Sequence, residues 1–303
     1  MTLRLTRRAF IIGSAGAAGA LVSAACSKSS GVIKVPSGGS SQLNLLVSSG
    51  AADGPTAQSI SVFEAGMDQR VAFVLEGQSG ALAPAPGSVT LQVSPDDKRW
   101  GPALPVEIHA DTGAAVTAYG TATYRFASPG TYWLRASYQG HSADSPVYVI
   151  DPNAAKVPYA GQPMINTPTP TDAAPEGVSP LCTRNPPCKL HAQSLDAALQ
   201  AKMPIALLFA TPALCQTATC GPVLDNLIAA SSAYTGKIIF IHCEIYTALS
   251  RDSPNTPPVL AYHLQSEPVL FLADSRGKVV ERIDGLFGKS EVGAALSRLA
   301  AAG

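Results

Sequence analysis

An apolar run that stops at two closely spaced thiols constrains this chain more than any other feature. Ile205 to Ala210 is continuously apolar, and Thr211-Pro212 breaks the run. Cys215 and Cys220 follow. Gly221-Pro222 then opens a stretch in which Val223, Leu224, Leu227 and Ile228 share one face at helical spacing. The pattern predicts a buried strand, a loop carrying two thiols, and a helix whose N-terminus points back at them. A helix N-terminus carries about half a positive charge and favours thiolate over thiol. The stretch therefore predicts a thiol–disulfide site. No Lys, Arg or His lies between the two cysteines, which leaves the helix dipole to lower a thiol pKa.

The spacing adds a condition. Residues five apart on one helix are rotated by about 140° and separated by about 7.5 Å of rise. That exceeds the roughly 7 Å between Cα atoms that a disulfide spans. Cys215 and Cys220 can pair if Cys215 lies in the loop. They are splayed apart if Gly221-Pro222 sits one turn into a longer helix. Proline favours a first helical turn, which suits the loop placement.

A length of 303 residues predicts about two domains. Formal net charge is zero and only 14% of residues are charged. No basic field points to nucleic acid, and no acidic run points to a disordered tail.

The first 26 residues read as an address. Arg7 and Arg8 precede an Ala/Gly-rich apolar run that is shorter than the roughly 20 residues of a membrane span. This resembles a twin-arginine export signal. Ser23-Ala24-Ala25-Cys26 resembles a bacterial lipoprotein cleavage site, although Ser23 stands where Leu is usual. The resemblance implies a lipidated Cys26, membrane attachment through that lipid, and work outside the cytoplasm. Residues 27–42 read as a flexible tether rich in Ser, Gly and Lys.

Residues 43–150 alternate apolar and polar between turn residues, as half-buried strands do. Val71, Phe73 and Leu75 form one set, and Val89, Leu91 and Val93 another. Tyr132, Leu134, Ala136 and Tyr138 follow the turn Ser128-Pro129-Gly130. A Tyr just past such a turn resembles the tyrosine corner of immunoglobulin-like sandwiches. His109 and His141 read as solvated surface residues, and Trp133 lies opposite the core face. Residues 151–181 carry recurrent prolines and predict an extended, semi-rigid linker.

Residues 182–303 carry the chemistry. Cys182 and Cys188 flank a Pro-Pro turn ahead of His191. They can close a small disulfide, form a second redox pair, or join His191 as metal donors. Pairing in exported proteins favours the structural disulfide, and a zinc site would need a fourth ligand. A short helix from Ser194 to Met203 precedes the first strand. A second strand runs from Lys237 towards Glu244, a helix is expected over Val259–Leu264, and a third strand over Ser266–Leu272. Asp274 to Gly277 turns into a fourth strand, Lys278–Asp284, and Ser290–Ala301 is the last helix. Cys243 reads as an inert core thiol.

That order, with the thiols at a helix start and Pro268 before a strand, hairpin and terminal helix, resembles the thioredoxin superfamily over residues 190–303. The resemblance implies that Pro268 is a cis proline beside the active sulfur and that Cys215 is the attacking thiol. The Cys-x4-Cys spacing departs from the family's Cys-x2-Cys. The expected architecture is thus an all-β immunoglobulin-like sandwich followed by an α/β thioredoxin-like domain. The expected activity is thiol–disulfide exchange through Cys215 and Cys220, without cofactor, on protein thiols or disulfides of the cell envelope. Two alternatives stand beside it. One is a non-catalytic binding module with structural disulfides. The other is a copper-handling module resembling the Sco type, built from Cys215, Cys220 and His263.

Overall fold

The computed structural model describes residues 43–48, 61–114, 116–215 and 217–302. Arg7, Arg8, Cys26 and the tether lie outside the described residues. Among the described residues, no helix is long and apolar enough to cross a membrane.

Up to residue 150 the described chain is all β. Its strands are β1 (Asn44–Val47), β2 (Ser61–Glu64), β3 (Asp68–Gly77), β4 (Gly80–Ala81), β5 (Val89–Ser94), β6 (Glu107–His109), β7 (Tyr119–Arg125), β8 (Gly130–Tyr138) and β9 (His141–Ile150). One sheet runs β1-β3-β7-β6, with β4 on β3, and the other runs β2-β9-β8-β5. The alternation explains the packing. Leu45, Phe73 and Leu75 from the first sheet meet Leu91, Leu134 and Val147 from the second in one core. The Tyr132 hydroxyl accepts a hydrogen bond from the Ser128 backbone N–H at 3.3 Å, fixing the corner before β8.

Alternation fails in β3, where Val71 through Leu75 are all buried. The reason is a second layer on the outer face of that sheet. Leu46, Val74 and Tyr119 belong to the same apolar cluster as Leu286 and Phe287 of the C-terminal half. His109 departs from the surface position its sequence suggests. It is 5% exposed, its Nε2 lies 2.9 Å from Thr121 Oγ1, and its ring stacks on Tyr119 at 4.6 Å. Pairing of β6 with β7 sets His109 opposite Tyr119. His141 is exposed and Trp133 half-buried.

The C-terminal half contains α1 (Leu195–Gln200), β10 (Ile205–Phe209), α2 (Cys220–Ser231), β11 (Ile239–Cys243), α3 (Pro257–Ala261), β12 (Val269–Ala273), β13 (Val279–Asp284) and α4 (Lys289–Ala302). Its sheet has the order β11-β10-β12-β13. β10 is parallel to β11 and antiparallel to β12, and β12 is antiparallel to β13. Both central strands are buried on both faces, and residue parity assigns each face its cover. Ala206, Leu208, Leu270 and Leu272 pack with residues of α2 and α4. Ile205, Leu207, Phe209 and Phe271 pack with Leu195, Val259 and Tyr262.

Element boundaries shift for local reasons. Helix α1 stops before Met203 because Lys202 adopts φ 51°. Helix α3 starts earlier than Val259 because Pro257 and Pro258 occupy its first turn, where a missing N–H costs nothing. Strand β12 begins after Pro268, not at it.

Residues 151–181 are extended but not a free linker. Val157, Met164 and Val178 are buried. Gly161 N–H donates to Val279 O, and Val279 N–H donates to Gln162 O, each at 2.8 Å. The segment thereby covers the open edge of β13, which would otherwise expose unpaired backbone groups. Its apolar residues between the prolines explain why it docks.

Polar contacts join the halves as well. The Arg70 guanidinium donates to both Glu291 carboxylate oxygens and to the carbonyls of Asp284 and Leu286. Tyr119 donates its hydroxyl proton to Glu291 and accepts from Gly288 N–H at 2.7 Å. Arg282, 8% exposed at its side chain, pairs with Glu64 at 2.9 Å.

Candidate functional site

Strand β10 ends against Thr211-Pro212, and the chain then loops through Cys215 to Thr219, the N-cap of α2. Cys220 is the first residue of that helix and Pro222 its third. Cys215 therefore lies in the loop, which resolves the two placements the spacing left open. The Cys220 backbone N–H donates to Cys215 Sγ at 3.3 Å. Thr217 Oγ1 lies 3.4 Å from the same sulfur and Thr219 Oγ1 3.9 Å. Ala218 takes up the turn at φ 55°.

This ring of donors holds the Cys215 thiol down to about 5. The hydrogen bond from the Cys220 thiol contributes most. Burial opposes it, and the Thr217 hydroxyl and the N–H groups of Cys220 and Thr219 add to it. The helix N-terminus does not act alone, since loop threonines substitute for the absent cations. Cys220 behaves oppositely. It is fully buried, and burial, followed by Cys215 and the Glu267 carboxylate, pushes its thiol well up.

Glu267 is the residue the sequence reading passed over. It is 8% exposed, and its Oε2 lies 3.5 Å from Cys220 Sγ. Burial, then the charge on Cys215, pushes its carboxyl up to about 8. The available signal was a Glu set directly against Pro268 and a wholly apolar strand. The Glu267–Pro268 peptide is cis. A small, mainly apolar groove runs between the outer face of the first β-sheet and the thiol loop. Thr217, Thr219, Glu267, Phe73, Tyr119 and Leu286 line it.

The remaining predicted residues lie apart from this site. Cys182 and Cys188, expected to pair with each other, are both thiols and share their surroundings with His191 and His242. Cys243 is buried in β11, where burial pushes its thiol up to about 12. His263 is exposed after α3, and Cys215, Cys220 and His263 do not converge as a ligand set among the described residues.

No protein-family model and no curated protein matches the chain. Among solved structures, the Lin-41 filamin domain is 14% identical over 31% of this chain and 86% of that chain, with a TM-score of 0.22. The S-layer protein SbsC domains 4 and 5 are 15% identical over 35% of this chain and 54% of that chain, with a TM-score of 0.18. Likenesses this slight carry no argument about function.

Proposed function

We propose that the chain is an exported, lipid-anchored protein in which an immunoglobulin-like sandwich carries a thioredoxin-like half. Its activity on this reading is thiol–disulfide exchange with protein partners of the cell envelope. The carrying observation is the unequal pair of thiols. Cys215 is favoured as thiolate in a half-buried loop, and Cys220 is held as thiol behind it with a carboxyl at 3.5 Å. The β11-β10-β12-β13 strand order supports the thioredoxin-like assignment.

The chemistry runs in two displacements. The Cys215 thiolate attacks one sulfur of a partner disulfide, and the other partner sulfur leaves as a thiolate. A mixed disulfide links Cys215 to the partner. Cys220 then gives its proton to the Glu267 carboxylate and attacks the Cys215 sulfur. The partner's second thiolate leaves, and a Cys215–Cys220 disulfide remains. Two electrons have passed to the partner, and the reverse steps oxidise a partner dithiol. A carboxyl lifted towards neutrality is matched to this proton transfer.

Stopped-flow reaction of the reduced full chain with glutathione disulfide separates the two steps. Cys220→Ser is expected to halt at a glutathione adduct that peptide mapping places on Cys215. Glu267→Gln is expected to form that adduct at near wild-type rate and to resolve it about 10²-fold more slowly at pH 7, the usual scale of a lost general base. An adduct on another cysteine overturns the proposed function. Unchanged resolution in Glu267→Gln removes the carboxylate from the second step.

A further inference from the structure

We propose that Cys182, Cys188, His191 and His242 form a structural tetrahedral site for a divalent zinc ion. The four side chains come from two places. Cys182, Cys188 and His191 lie on the segment before α1, and His242 lies on β11, the edge strand of the C-terminal sheet. His242 N–H donates to Leu190 O at 2.9 Å, which ties that segment to the strand.

One donor atom from each residue lies within 4.8 Å of all the others. Cys188 Sγ is 3.3 Å from His191 Nε2 and 3.4 Å from His242 Nδ1. Cys182 Sγ is 3.7 Å from His242 Nδ1, and the two imidazole nitrogens are 3.2 Å apart. These separations can be compared with a zinc tetrahedron. Zinc–sulfur bonds of about 2.3 Å and zinc–nitrogen bonds of about 2.0–2.1 Å imply N···N edges of about 3.3 Å and S···N edges of about 3.6 Å. The observed contacts have those lengths.

The surroundings prepare the donors. His242 Nε2 lies 3.0 Å from the Ala210 carbonyl, which only accepts, so Nε2 carries the proton and Nδ1 offers its lone pair to the cluster. The Cys188 backbone N–H donates to Cys182 Sγ at 3.3 Å, which favours a thiolate there. Thr183, next to Cys182, is anchored by its N–H and hydroxyl to Glu244. His191 presents Nε2 to the cluster, which leaves its ring proton on Nδ1. Cys182, His191 and His242 are at most 5% exposed and Cys188 is half-buried.

Two thiolates and two neutral imidazoles suit zinc by softness and geometry. The two negative sulfurs cancel the ion's charge, so the buried site is neutral overall. Four protein ligands complete a tetrahedron, which is the arrangement of a structural site and not of a catalytic one. Binding releases to solvent any proton the two sulfurs still carry. It also excludes a Cys182–Cys188 disulfide, since both sulfurs are committed to the metal.

The test uses the full chain, reduced and stripped of metal, then titrated with Zn2+ and separately with Co2+. The expected result is one tightly held equivalent of zinc and the absorption bands of tetrahedral cobalt with sulfur ligands. On the unsubstituted protein, zinc is expected to slow alkylation of Cys182 and Cys188 at least tenfold and to leave Cys215 unaffected. The Cys215→Ser/Cys220→Ser double variant should keep its equivalent, and His242→Ala should lose it. Because the alkylation arm needs no variant, a misfolded His242→Ala does not decide the matter. The proposal is overturned if the reduced chain holds no zinc, if the zinc protects Cys215 and Cys220 instead, or if Cys182 and Cys188 remain equally reactive. Absence of zinc, or unprotected Cys182 and Cys188, leaves disulfide exchange at Cys215 untouched, whereas zinc on Cys215 and Cys220 would count against both readings.

Discussion

Cys215→Ser is expected to lower disulfide exchange by about 10³-fold or more, because a serine hydroxyl neither ionises near neutral pH nor forms the mixed disulfide. The pH profile of the unsubstituted protein gives the same account a second reading. A thiol held at about 5, against an ordinary 9.0, stays ionised down to that pH and loses its thiolate only as pH falls through it. Lower basicity also costs nucleophilicity, with a Brønsted slope of about 0.4–0.5. At pH 7 the two effects nearly cancel. At pH 5.5 the thiolate fraction dominates, and Cys215 should be alkylated about 10- to 100-fold faster than an ordinary thiol. Cys220, buried and pushed the other way, should stay unmodified in the same samples. A Cys215 rate that falls tenfold for each pH unit below 8 would contradict the loop geometry described above.

The second large effect lies between the halves. Glu291→Ala leaves the Arg70 guanidinium buried without its carboxylate. Removing one partner from a buried ion pair costs about 3–5 kcal/mol. Side-chain exposures of 15% and 14% make this pair partly buried, which places the expected loss towards the lower end of that range and above that of weak surface bridges. The expected loss is read as a lower denaturant midpoint of the full chain. Replacing both partners with apolar residues, as in Arg70→Met/Glu291→Leu, should recover most of it, because the desolvation cost disappears with the charges. The pH dependence has a definite sign. Burial alone would raise the Glu291 carboxyl, but Arg70 and the Tyr119 hydroxyl outweigh it and hold it below its ordinary 4.5. Its contribution is therefore complete above about pH 4.5 and disappears as pH falls through the lower, folded value. A Glu291→Ala chain within about 0.5 kcal/mol of wild type would mean that apolar contacts such as Val74 with Leu286 hold the halves together unaided.

The sequence made some of this architecture legible and hid the rest for identifiable reasons. Period-two alternation in Tyr132–Tyr138 and the continuous run Ile205–Ala210 located strands correctly, because each reports burial directly. His109, an isolated polar residue near a turn, reads as solvated, and its burial depends on a stacking partner across a strand pair. Alternation also gives no sign of what covers Val74, which packs with Leu286 and Phe287 more than two hundred positions away. Cys215 and Cys220 stood out because their helix start is local. Glu267 and His242 did not, since each joins its cluster only when the sheet brings β12 or β11 beside β10. Recurrent prolines in 151–181 suggested an extended, semi-rigid linker. Val157, Met164 and Val178 were the contrary signal, apolar residues that need a surface to cover.

The central claim is that Cys215 and Cys220 exchange electrons as a pair, and a redox titration of the full chain with mass mapping of every cysteine tests it most directly. A lowered Cys215 thiol stabilises the reduced form, so the pair should interconvert reversibly at a midpoint between roughly −270 and −120 mV, more oxidising than thioredoxin. A pair that stays oxidised below roughly −300 mV would behave as a structural staple. That result would contradict the account.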